Sequence, residues 1–212
     1  MRTVAEPVQP RRAATVLLLR PGTDDPFEVF MVRRHLDSKF MGGMYVFPGG
    51  KVDERDCVSD VGQVCHGLTA AGAAEILGGG LSPEDALGHF VAAIRETLEE
   101  AGVLLAVDAA GAVATLAPGE LAQHRHALQN GDSAMADVIT CLGLRLDTGR
   151  LRYFSHWITP PLEPRRFSAR FFLCPVSAEQ EAVHDAFETT DGVWLWEFNT
   201  GTRVCMHRSV KI

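Results

Sequence analysis

The 212 residues carry a formal charge of −7, with 46% hydrophobic and 22% charged residues, a composition that suits one soluble domain with a sizeable core. The acidic balance argues against broad nucleic-acid binding, which wants a basic surface, and admits an anionic small-molecule substrate only where cations and a few arginines reverse the field. Residues 1–12 lack the apolar stretch of a secretion signal and no later run reaches the eighteen or so apolar residues of a membrane span, which predicts a cytoplasmic protein with no membrane partner.

Residues 1–12 read as a flexible tail, and 13–212 as a single domain. Residues 13–20 form an apolar run of strand length. The turn composition of residues 21–26 separates it from a second strand over 27–34, and the pair suggests a hairpin. The chain then passes through Met44-Tyr-Val-Phe47 into Pro48-Gly49-Gly50, where two glycines free the backbone for a tight bend or the close approach of a ligand. Residues 51–81 are rich in Ala and Gly, with one short helix near 68–77 and Gly78-Gly79-Gly80 behind it, and read as an insertion. Ser82 as N-cap, Pro83 at the first helical position and the acids Glu84 and Asp85 predict a long helix over 83–101. An aliphatic strand starts at Val103, and residues 120–142 look helical in two pieces broken near Gly131. Strands follow over 151–159, 166–176 and 192–198. Strands mixed with few helices, without regular alternation, predict an α/β fold with a mixed sheet and helices packed on it. The cysteines Cys57, Cys65, Cys141, Cys174 and Cys205 lack C-x-x-C spacing and read as reduced thiols.

The helix over 83–101 carries the chemistry. At about 100° per residue, Glu96, Glu99 and Glu100 share one face, with Leu87, Phe90, Val91, Ile94, Leu98 and Ala101 on the other side. Like charges at this spacing repel. One reading is a solvated acidic face; the other is a site for a hard divalent cation with oxygen ligands. Three details favour the second. Ala92 and Ala93 lower the surface one turn earlier, Arg95 can hold Glu99 four residues on, and Gly102 ends the helix where glycine commonly caps it. Arg165, Arg166 and Arg170 are candidates to clamp phosphates, since a guanidinium pairs bidentately with phosphate oxygens. His124, His126 and His156 show no ligand spacing and are assigned to packing or solvent.

Gly50 with Arg95-Glu96-x-x-Glu99-Glu100-x-Gly102-Val103 resembles the Nudix box, usually written G-x5-E-x7-R-E-U-x-E-E-x-G-U with U a bulky aliphatic. Thr97 departs from the aliphatic at U. Gly50 stands forty-five positions before Arg95, where the pattern has fourteen, so about thirty-one residues are extra. Leu87 stands where the first box Glu would precede Arg95, and Asp53, Glu54 and Asp56 are the stand-ins available. Such a split box resembles the Nudix branch of coenzyme A diphosphatases, as do Trp157-Ile-Thr-Pro160 and Arg165-Arg-Phe-Ser-Ala-Arg-Phe-Phe172; the resemblance covers residues 13–196. It implies a Nudix-type α/β/α sandwich with the insertion between the Gly-Gly turn and the Nudix helix. The implied activity is hydrolysis of a nucleoside diphosphate linked to another moiety, a coenzyme A derivative among the candidates, with Mg²⁺ or Mn²⁺ as cofactor. A non-catalytic nucleotide-binding module is the alternative, motivated by the missing Glu and by a C-terminal end without an obvious amphipathic helix. The metal would be held by Glu96, Glu99, Glu100 and the carbonyl of Gly49 or Gly50, with Glu96 and Glu100 closest and Glu99 a third ligand or the base. Arg95 and Glu100 complete the catalytic set. Glu163, Glu179, Glu181 and Glu188 are further candidates for the base. The substrate is a small molecule rather than nucleic acid, and a homodimer is compatible with the family.

Overall fold

The computed structural model describes residues 8–22, 26–38, 41–177, 180–185 and 188–195. The first strand, β1 (Arg11–Arg20), is flanked on both sides. One flank is β8 (Phe167–Pro175), parallel to it along its whole length. Its other flank is shared. At its C-terminal end β1 pairs antiparallel with β2 (Glu28–Arg34), and at its N-terminal end with β4 (Gly49–Lys51). β2 goes on to pair with β3 (Tyr45–Val46) and β9 (Thr189–Leu195), while β7 (Arg152–Ile158) lies outside β8. The result is the mixed, mostly antiparallel sheet expected of the α/β class. β1 starts at Arg11 rather than after residue 12 because β8 extends the pairing downward: the Arg11 N–H donates to the Arg166 carbonyl at 2.8 Å.

Alternation along β1 sends Ala14, Val16 and Leu18 into the core, and on β8 Phe172 and Cys174 share their face. This face is covered by α2 (Pro83–Ala101). Phe90 of α2 stacks at a tilt on Phe172, with ring centroids 4.8 Å apart. The predicted N-cap holds, Ser82 Oγ accepting the Asp85 N–H at 3.1 Å. At the other end Gly102 takes φ 66°, the left-handed value that a glycine adopts without steric penalty, and its N–H returns to the Leu98 carbonyl.

Between β4 and α2 the chain makes two short 3₁₀ turns, Glu54–Cys57 and Val61–Val64, and then α1 (Ala70–Leu77), which packs on α2. α3 (Pro118–Gln129) also packs on α2, and α4 (Met135–Cys141) follows after the predicted break. Val103, Leu104 and Leu105 are buried but not in a strand; pairing starts one residue later, where β5 (Ala106–Val107) meets β6 (Arg145–Leu146) in a separate two-stranded ribbon. Cys57, Cys65, Cys141 and Cys174 are free thiols. Cys205 and the C-terminal end beyond 195 lie outside the described residues. Among the described residues no helix is long and apolar enough to cross a membrane.

Candidate active site

The C-terminal half of α2 is buried almost all round. Ala92 and Ala93 have no exposure, so they do not open a surface for a ligand as the sequence suggested. Their small size instead lets strands and helices close in on α2 from several sides. Thr97, at the box position usually aliphatic, is likewise fully buried, and its hydroxyl is satisfied by donating to the Ala93 carbonyl at 2.8 Å.

Arg95 is the anchor. Nη1 donates to Glu96 Oε1 and to Glu99 Oε2, both at 2.9 Å, and Nη2 to the Lys51 carbonyl at 2.8 Å. Its other edge forks onto Asp56, with Nε to Oδ1 at 3.1 Å and Nη2 to Oδ2 at 3.0 Å. Asp56 is 2% exposed and also accepts the Asp53 N–H. Of the three acids available as stand-ins for the first box Glu, Asp56 is the one that meets Arg95 in a buried bidentate pair. Burial alone would lower the Arg95 pKa, but Glu96, Asp56 and Glu99 outweigh it and raise the pKa.

The glutamates are held against the Gly-Gly strand. Glu100 Oε2 accepts the Gly49 N–H at 2.9 Å. At Gly50 a Cβ would stand 2.4 Å from Glu96 Oε1, so only glycine leaves room for that carboxylate. Burial pushes Glu96 up to about 7 against the pull of Arg95. Glu100 rises well above the usual carboxylate range through burial and the adjacent charge of Glu96, opposed by the Gly49 N–H and by Arg34. Burial also raises Glu99, against Arg95.

A cleft opens over this cluster, lined by Glu96, Glu99, Glu100, Gln129, Asp185 and Glu188. Gln129 of α3 ties its walls together, donating to the Glu99 carbonyl at 2.9 Å and to Asp185 Oδ2 at 3.2 Å. Asp185 in turn accepts the N–H groups of Glu188 and Thr189, which ties the backbone at Glu188 to Asp185. Sequence reasoning named Glu188 among four acids but missed Gln129 and Asp185. Glu163 and Glu181 are exposed, and neither lines the cleft; Glu179 lies outside the described residues.

The three arginines picked as phosphate clamps are not brought to the carboxylates. Arg165 is exposed. Arg166 spends its guanidinium on the carbonyls of Thr159 and Val8, and Arg170 is buried against His89. His156 bonds Ser168, and His126 bonds Asn130.

The donor set suits a hard cation. Glu96, Glu99 and Glu100 each use one oxygen in the bonds above, and the second oxygen of each makes no hydrogen bond among the described residues. Among the described residues no three acids already converge as a ligand cage; Arg95 holds Glu96 and Glu99 to itself. A cation would therefore compete with Arg95 and with protons for these side chains.

This competition predicts an unusual stability profile. Without divalent metal, folded Glu96 and Glu100 hold protons that the unfolded chain releases above about 4.5, so stability falls as pH rises from there, for Glu96 until about 7. His89 acts in the opposite sense. Burial lowers it to about 4 from 6.5, so the unfolded chain takes up an extra proton below 6.5, which offsets part of what the two glutamates contribute there. Because two glutamates outweigh one histidine, thermal unfolding in EDTA should show stability rising as pH falls from about 8 through 6.5 and on toward the ordinary carboxylate range, more gently below 6.5. Added Mg²⁺ should stabilise most on the alkaline side, where the carboxylates are ionised. A flat response between about pH 8 and 6.5 would contradict the burial of these glutamates.

An arginine bridging box acids, glutamates packed on a Gly-Gly strand and a mixed sheet define a Nudix-type domain. Residues 77–203 match the NUDT19 Nudix domain; the chain belongs to the Nudix hydrolase family. It is similar to the acyl-coenzyme A diphosphatase NUDT19 of Xenopus laevis, 26% identical over 199 residues that cover 79% of this chain and 52% of that protein. The human protein of the same name is 27% identical over 228 residues, 87% of this chain and 60% of that one. The chain thus spans about half the length of the curated relatives it matches. A crystal structure of a Nudix hydrolase from Alicyclobacillus acidocaldarius superposes with TM-score 0.72 at 31% identity, covering 89% of this chain and 79% of that one.

Proposed function

We propose that the chain hydrolyses the pyrophosphate bond of a nucleoside diphosphate linked to another moiety, with coenzyme A or an acyl-coenzyme A as the substrate class. The observation that carries the reaction is the cluster of Glu96, Glu99 and Glu100, each with an oxygen to spare, in one cleft. The substrate class follows from the curated relatives, described as acyl-coenzyme A diphosphatases.

Glu96, Glu99 and Glu100 would hold Mg²⁺ or Mn²⁺, with a carbonyl of the Gly49–Gly50 strand beside them. Such an ion supplies neutralisation of the diphosphate and acidifies a bound water. Arg95 sets the rotamers of Glu96 and Glu99, and Asp56 fixes Arg95. Glu188, exposed at the cleft, is the group we assign to take the proton from the attacking water; Glu99 is the alternative base. The Asp185 and Gln129 bonds tie the backbone at Glu188 to α3.

The rival reading, a module that binds nucleotide without cleaving it, drew on the missing box Glu. It drew also on the C-terminal end; the pairing of Asp56 with Arg95 weighs against the first of these motives. Incubation with Mg²⁺ or Mn²⁺ and a panel of coenzyme A, acyl-coenzyme A, nucleotide sugars and dinucleotides should release a nucleoside monophosphate or a phosphopantetheine product. EDTA should abolish the release. No turnover of any pyrophosphate with either metal sinks the proposal.

A further inference from the structure

Arg170 is 3% exposed. Its register partners are Ala14 of β1 and His156 of β7, so its side chain leaves the sheet on the face covered by α2. There Nη1 meets His89 Nε2 at 3.2 Å, and His89 Nδ1 meets the Asp85 carbonyl oxygen at 2.7 Å. A carbonyl only accepts, so Nδ1 carries the imidazole proton and Nε2 accepts from Arg170. His89 is therefore neutral, in keeping with a pKa that burial holds down near 4. The guanidinium has a buried partner, but one without charge.

The opposite edge of the guanidinium, Nε with Nη2, is the fork that pairs bidentately with oxyanions. Nε is buried with no hydrogen-bond partner among the described residues. Among the described residues no carboxylate forms an ion pair with Arg170, and Asp85, the acid at this end of α2, is committed to Arg12. A buried cation without a counter-charge is unfavourable unless an anion joins it.

Beside Nη2 the chain runs without side chains. A Cβ added to Gly79 would lie 3.5 Å from that nitrogen. Gly78, Gly79 and Gly80 all have positive φ, at 59°, 71° and 72°, and all are exposed. The N–H groups of Gly79 and Gly80 make no backbone hydrogen bond among the described residues. Successive free amides in such a turn offer donors to an anion. A phosphate group suits the place because two of its oxygens can meet the fork and others remain for the glycine amides.

The geometry points to a phosphate-binding site built on Arg170 and His89 beneath the Gly78–Gly80 turn, separate from the glutamate cleft. His89 precedes Glu96 by seven residues, about 10 Å along the helix. The site does not depend on catalysis, and its test does not require turnover.

Thermal unfolding of the metal-free protein in EDTA, with inorganic phosphate titrated against chloride at constant ionic strength, reads it directly. The midpoint should rise with the logarithm of phosphate concentration above Kd, by roughly 5–10 °C at a hundredfold excess. Arg170→Met should lose the rise, and Glu100→Gln should keep it. Should Arg170→Met fail to fold, Gly79→Asp serves instead: aspartate tolerates the left-handed turn and brings its own carboxylate to Nη2, so the response to phosphate should vanish in a folded protein. A second arm uses adenosine monophosphate. Tighter binding than phosphate, still lost in the variant, means that the site reads a nucleotide's phosphate; weaker binding means free phosphate. A rise that stays linear in phosphate concentration, the mark of general salt exclusion, overturns the site. So does a response that survives in the folded variant.

Discussion

Glu100→Gln should lower kcat on the pyrophosphate substrate by about a hundredfold or more, as expected when a site that stabilises charge in the transition state is damaged. The substitution is close to isosteric, and the amide carbonyl that it introduces can still accept the Gly49 N–H that Glu100 now accepts. The folded protein should tolerate it well, because burial and Glu96 already drive Glu100 toward its neutral form. The variant should therefore unfold in metal-free buffer no earlier than the parent, while its stabilisation by Mg²⁺ drops. Steady-state kinetics beside thermal unfolding separates the two effects. A loss under about tenfold with folding intact would remove Glu100 from the metal role.

Arg95→Met should cost about 3–5 kcal/mol of stability, the range for breaking a buried ion pair by removing one partner. The cost is high because one guanidinium serves Asp56, Glu96 and Glu99 together with the Lys51 carbonyl. Methionine fills much of the volume but leaves three crowded carboxylates. Each would then bind protons more tightly in the folded chain than in the unfolded one, so the variant should regain stability as pH falls. Urea denaturation at two pH values checks both parts. A loss below about 1 kcal/mol, or a loss independent of pH, would show that Arg95 does not hold these acids together.

Periodicity and capping in the sequence located α2 to the residue, since Ser82, Pro83 and Gly102 mark its ends by local chemistry alone. The same pattern misread what surrounds it. Ala92 and Ala93 looked like an opening because a helix viewed alone cannot show what closes on its small residues. Asp56 was readable in one direction only. Counting back from Arg95 lands on Leu87, whereas counting five residues past Gly50 and taking the next lands on Asp56, and only the fold decides between these counts. Gln129 and Asp185 carry no sequence signal, since their value lies in a contact with each other across fifty-six positions. Arg166 was ambiguous for another reason. A guanidinium on a strand serves carbonyls as readily as phosphates, and Arg166 took the carbonyls.

The Asp56–Arg95 pair also bears on how this chain can change. Thirty-eight residues separate the two, against seven in the usual box, yet the pair closes the gap in space. Loop-closure entropy grows only logarithmically, so the longer connection adds about 1.5 kcal/mol, and α1 packing on α2 is available to offset it. The connection's length is thus decoupled from the placement of the glutamates. A connection of different length there should leave Glu96, Glu99 and Glu100 in place as long as the Asp56–Arg95 pair closes.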